Sequence, residues 1–111
     1  MDDLTNEQKY LLASMYKEVL SRQPALSMEE SNYFHDSNEV RDMFLPDLSS
    51  DYVSTLCWKL KSKGYISCDR GDDLANNIRL EDSTIIYMEH RFSNGLKSIM
   101  KFLTDIKGII F

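Results

Sequence analysis

Residues Ser49–Leu80 read SSDYVSTLCWKLKSKGYISCDRGDDLANNIRL. Ser49 and Ser50 are both good helix N-caps, and Asp51 suits the positive end of a helix dipole. Val53, Leu56, Cys57 and Leu60 then recur at three- and four-residue spacing. That is one apolar face of a helix over about Asp51–Lys63. Lys59, Lys61 and Lys63 favour its negative end, and Gly64 is the expected C-terminal stop. Tyr65–Cys68 has the composition of a strand, DRGDD that of a polar turn with a glycine. Asn77–Leu80 alternates, so Ile78 and Leu80 face one way and Asn77 and Arg79 the other. One helix, a hairpin turn and two strands follow one another within this stretch.

Upstream, Thr5 and Gln8 form a capping box for a first helix over about Asn6–Gln23, which Pro24 ends. Leu11, Leu12, Met15, Tyr16, Val19 and Leu20 are its apolar side. Residues 25–35 are a short helical turn or a packed loop, with Tyr33 and Phe34 expected in the core. Asp36 and Glu39 make a second candidate capping box, opening a short helix over about Ser37–Leu45. Val40, Phe44 and either Met43 or Leu45 would face inward, and Pro46 ends it.

Downstream, Ser83 is a candidate cap for a last helical region. Asn94-Gly95 interrupts that region, as a kink or as a boundary between two helices. From Phe92 onward, Phe92, Leu96, Ile99, Leu103, Ile106 and Ile110 alternate four- and three-residue steps, the spacing of a heptad seam. Phe102, Ile109 and Phe111 lie outside or at the end of it. Six large apolar groups left bare would be an unusually large patch. The seam therefore implies either a homodimer interface or a helix folded back over Leu11, Leu12 and Tyr16. The expected organisation is residues 1–91 as one domain and 92–111 as a C-terminal helix used in dimerisation.

A chain of 111 residues with 42% hydrophobic residues is sized for one globular fold. Its net charge of −5 opposes the usual balance of a nucleic-acid binder. The charge is uneven, however. Residues 1–48 hold four basic and ten acidic residues, 49–80 hold five and four, and 81–111 hold four of each. Positive charge is concentrated, mildly, in the organising stretch.

Two cysteines, Cys57 and Cys68, stand in no CxxC or metal-ligand spacing, and His35 and His90 are far apart. They read as small apolar thiols of a reducing compartment. No phosphate-cradling glycine loop, nucleophile elbow or HExxH appears. No cofactor, metal site or catalytic centre is expected, and the protein is not read as an enzyme. The start MDDLTNEQ is too acidic and polar for a signal peptide, and no apolar run reaches the roughly 18–20 residues of a membrane span. A cytoplasmic location is expected.

Two stretches carry a resemblance. VSTLCWKLKSKGYISC is similar to the step from a recognition helix through basic, glycine, aromatic and aliphatic residues into a wing. NIRLEDSTIIYMEHRF is similar to the return strand of that wing running into the next helix. Ile78, Leu80, Ile86, Tyr87, Met88 and Glu89 match, while Glu81 stands where a threonine is usual. Together they resemble the winged helix-turn-helix superfamily over about Asp36–Arg91, most of all small winged-helix proteins of Gram-positive bacteria and their prophages. The fold so implied is mainly α with a small β-wing, a winged helix-turn-helix plus a long C-terminal helix.

The resemblance implies a dimeric DNA-binding regulator, its helix 51–63 in a major groove and its wing tip on the backbone. The implied contacts to double-stranded DNA are Ser49, Ser50, Tyr52, Ser54, Thr55, Lys59, Lys61, Lys63, Arg70 and Arg79. Asp51, Asp69, Asp72 and Asp73 lie among them and repel phosphate. Trp58 is either packed under the wing or the C-terminal helix, or exposed to a partner. The acidic residues 1–48 motivate a different function class, an interaction module for a basic or nucleic-acid-binding protein partner.

Overall fold

A computed structural model describes residues 1–110; Phe111, expected at the end of the C-terminal helix, lies outside the described residues. Six helices and one hairpin follow in the order α1 (Asn6–Arg22), α2 (Met28–Ser31), α3 (Ser37–Phe44), α4 (Ser50–Ser62), β1 (Ile66–Gly71), β2 (Leu74–Leu80), α5 (Asp82–Arg91) and α6 (Leu96–Ile110). The protein is mainly helical, with a two-stranded antiparallel hairpin and a C-terminal helix. No described helix is long and apolar enough to cross a membrane.

The chain divides into two compact units, Met1–Ser31 with Ile85–Phe111, and Asn32–Thr84. The units part at Ser31 and within α5. The reason lies in the first unit, where α6 packs along α1.

In that first unit, α1 starts with the expected capping box: Gln8 N–H donates to Thr5 Oγ1 and Thr5 N–H to Gln8 Oε1. Leu11, Leu12, Met15, Tyr16 and Val19 of α1 are buried, as are Phe92, Ile99 and Ile106. Asn94-Gly95 is a boundary, not a kink: α5 ends at Arg91, and Gly95 has φ +66° just before α6 begins. Phe92 and Phe102 meet edge to face at 5.3 Å, and the Arg91 guanidinium lies 5.1 Å and 5.5 Å from the two rings.

In the second unit, α3 packs on α4, and both pack on the hairpin. Asp36 caps α3 by accepting from Glu39 N–H. The Glu39 carboxylate lies 3.9 Å from His35 Nε2, in an exposed pair. Ser49 caps α4, accepting from Tyr52 N–H. At the other end Tyr65 N–H donates to the Leu60 carbonyl and Gly64 N–H to the Lys61 carbonyl. This is a Schellman closure, and Gly64 supplies the φ of +85° that it requires.

The strands are longer than the sequence pattern implies. Both φ > 0 residues of the turn are aspartates, Asp72 (φ 52°) and Asp73 (φ 61°), so only two residues of DRGDD reverse the chain. The register runs Ser67↔Arg79 and then Asp69↔Asn76, so Asn77 and Ile78 together oppose Cys68. That bulge, with Asn77 at φ 53°, lets Ala75, Ile78 and Leu80 all turn inward although the first two are three residues apart. A strict alternation would have put Ala75 and Ile78 on opposite faces.

The segment before α3 also bonds to β2. Phe34 N–H donates to the Ile78 carbonyl, and Ile78 N–H to the His35 carbonyl. Phe34 is buried, as expected, and lies 6.0 Å from the half-buried Phe44. Of the short helix α3 and the residue after it, Val40 and Leu45 are buried while Met43 is exposed.

Candidate nucleic-acid interface

The ten expected contact residues all belong to the Asn32–Thr84 unit, but they do not form one surface. Tyr52, Thr55, Lys59 and Lys63 follow one another along α4 and its C-cap at three- and four-residue steps, and all are exposed. Their spacing is a helical row of about 16 Å at 1.5 Å per residue. No carboxylate interrupts the row beyond Asp51 in its first turn.

Ser54 is a correction. Its side chain is buried, and its Oγ lies 2.9 Å from Ser37 Oγ, which in turn accepts from Ala75 N–H at 3.3 Å. Ser54 ties α4 to α3 and β2 and has no access to a ligand. In the sequence it falls beside Val53 on the edge of the apolar stripe, a position that periodicity leaves undecided. Ser49 and Ser50 are engaged as well: the first is the N-cap, and Ser50 Oγ bonds Asn38 Oδ1.

Lys61 belongs to the junction of helix and hairpin. Its Nζ donates to the Cys68 carbonyl at 2.7 Å and lies 5.9 Å from the Trp58 ring. Arg79 is half-buried and engaged as well. Its guanidinium donates to the Asn32 carbonyl at 3.0 Å and stacks 4.6 Å over Tyr33. The Tyr33 hydroxyl donates to Asn77 Oδ1, and Asn77 Nδ2 donates to Asp69 Oδ2. Arg79 therefore anchors a polar chain on the outer face of the hairpin, and its charge is partly used there.

Arg70 is different. It is exposed near the end of β1, with its guanidinium 4.4 Å over the face of Trp58. A stacked guanidinium keeps its edge donors available while the ring restricts where it can go. Trp58 is half-buried, and this stack accounts for a tryptophan off the inward stripe of α4. On both sides of Arg70 the hairpin is acidic, with Asp69, Asp72 and Asp73 all exposed.

The two cysteines are free and buried. Burial, and secondarily the neighbouring Cys68, pushes the Cys57 thiol up to about 12. Burial also raises Cys68, against the lowering effect of Lys61. Thiols held protonated in this way are poor nucleophiles. Among the described residues no group of three His, Cys, Asp or Glu side chains could hold a metal ion.

The six seam residues separate in the other unit. Phe92, Ile99 and Ile106 are buried within the chain, Leu96 is 41% exposed, and Leu103 and Ile110 are half-buried. Half of the seam is thus spent on the chain's own core, and any contact with a second copy would rest on Leu96, Leu103 and Ile110.

Comparison with protein-family models, with curated proteins and with solved structures finds no match to this chain.

Proposed function

We propose that the protein binds double-stranded DNA as a small regulator of winged-helix type, with α4 entering the major groove and the hairpin lying on the adjacent backbone. The observation that carries this reading is the uninterrupted row Tyr52–Thr55–Lys59–Lys63, flanked by Arg70 on its tryptophan. Lysines neutralise phosphate, and hydroxyls bond phosphate or base edges. An α-helix with its side chains is about 10–12 Å in diameter and fits a major groove about 12 Å wide.

Lys59, Lys63 and Arg70 are the cations that this reading uses. Three phosphate contacts imply a modest salt dependence, a slope of about −3 in log K against log salt. Fluorescence polarisation with labelled duplexes at low salt tests the reading. Binding is expected, and Lys59→Glu with Arg70→Glu should abolish it. Absence of binding, or binding that survives the double charge reversal, sinks it.

One observation favours a second reading, an interaction module for a basic protein. Asp72 and Asp73 form the exposed hairpin tip, with exposed Asp69 in β1, where a DNA backbone would meet like charge. Salt-sensitive binding to a basic protein, with no shift of any duplex, would favour that alternative.

A further inference from the structure

The α1 and α6 helices leave a groove of about 220 Å³, lined by Tyr10, Lys17, Met100, Leu103, Thr104 and Lys107. It makes no use of α4 or the hairpin. Met100 is 53% exposed and Leu96, four residues earlier on the same line of α6, is 41% exposed. With half-buried Leu103 they form an apolar strip beside the residues that α6 buries, Ile99 and Ile106. The volume is below the roughly 300–1,000 Å³ of small-molecule sites and suits one large side chain.

The charges at this groove have one sign. Lys17 stands on the α1 wall and Lys107 on the α6 wall, and among the described residues no carboxylate lines it. Two acidic side chains of these helices are committed elsewhere: Glu18 pairs with Arg22 at 3.3 Å, and Asp105 with Lys101 at 3.0 Å. Neither Lys17 nor Lys107 forms an ion pair among the described residues. A two-fold contact with its axis through this groove would bring its lysines close to those of the second copy, which like-charge repulsion opposes.

We propose that this groove takes an acidic amphipathic segment of a partner protein. A large apolar side chain of the segment seats on Met100 and Leu103, and its carboxylates face Lys17 and Lys107. This is helix-in-groove recognition, in which a few apolar anchors give affinity and flanking charge gives selectivity.

The test uses the full chain and a fluorescein-labelled helical peptide with leucine and phenylalanine on one face and glutamate on its flanks. Polarisation is expected to saturate with a Kd on the order of 10 µM. Carbon-13 methyl spectra should show the Met100 methyl resonance moving on titration. Lys17→Glu, at a half-buried position, with exposed Lys107→Glu should weaken binding about tenfold or more, and a peptide with lysine in place of glutamate should not bind. No saturation by about 1 mM, equal affinity for the lysine peptide, or a Met100 methyl that stays still each overturn the proposal. So does concentration-dependent self-association that Met100→Glu abolishes, which would assign the groove to a second copy.

Discussion

Asn32 and Leu80 are joined by two buried hydrogen bonds at 2.9 Å each: Asn32 Nδ2 donates to the Leu80 carbonyl, and Leu80 N–H donates to Asn32 Oδ1. The side-chain amide does what the backbone of a neighbouring strand would do, and it fixes the segment before α3 to the end of β2. Two buried backbone groups depend on it. Asn32→Ala is expected to cost about 2–4 kcal/mol, because it leaves the Leu80 N–H and C=O unpaired. Asn32→Asp should be no better, since a carboxylate cannot donate to the Leu80 carbonyl. Urea unfolding measures both, and a loss below about 0.5 kcal/mol would show that water or a shifted strand replaces the amide.

Trp58 is the single tryptophan, so its emission reports on Arg70. Arg70→Ala should wet the ring face, shift the emission to the red and destabilise the protein by about 0.5–1 kcal/mol. Arg70→Lys should restore only part of this, because an ammonium does not stack as a planar guanidinium does. An emission spectrum unchanged in Arg70→Ala would mean that the stack does not persist in solution.

Ser54 and Thr55 are neighbours with opposite fates. Ser54→Val removes the partner of Ser37 in a buried site and is expected to lower stability by about 1–3 kcal/mol. Thr55→Ala, at an exposed position on α4, should stay within about 0.5 kcal/mol of the parent. On the DNA-binding reading, the second variant and not the first weakens duplex affinity after correction for folded fraction. The reverse order in thermal melts would contradict the burial of Ser54.

Alkaline pH should weaken the fold. In the unfolded chain the Cys57 thiol ionises near its ordinary value of 9.0, whereas burial holds it protonated up to about 12 in the folded state. Between those values the unfolded state binds fewer protons, so stability falls as pH rises, by about 1.4 kcal/mol per pH unit for a fully shifted thiol. Tyr16, raised by burial and by the Glu89 carboxylate, acts with the same sign. Cys57→Ala should flatten the decline between pH 9 and pH 11 in chemical-denaturation curves. Parallel declines in parent and variant would refute this assignment.

The features decided by near neighbours in the chain were legible in the sequence. The Thr5–Gln8 capping box, the Ser49 cap, the Gly64 stop and the inward stripe Val53, Leu56, Cys57 and Leu60 all appear as expected. Each depends on residues within about one or two helical turns, where spacing and backbone preference suffice. Asn94-Gly95 marked an interruption there for the same reason, and the structure made it a boundary between α5 and α6.

The rest was settled by groups far apart in the chain. No local pattern shows that Asn32 will meet Leu80, or that a bulge at Asn77 will bring Ala75 onto the core side of β2. Nor does helical spacing tell whether Ser54 faces solvent, or whether Arg79 will be drawn to Asn32 and Tyr33. The heptad-like seam of α6 fixed only that it must be buried. Packing along α1 decided that Ile99 and Ile106 go into the chain's own core while Leu96 and Met100 stay open. The sequence alone determined the main helices, several of their caps and the presence of the hairpin, because those follow from local backbone energetics. Only the tertiary structure decided which polar side chains are free to bind, because desolvation and hydrogen-bond pairing depend on what the fold brings beside them.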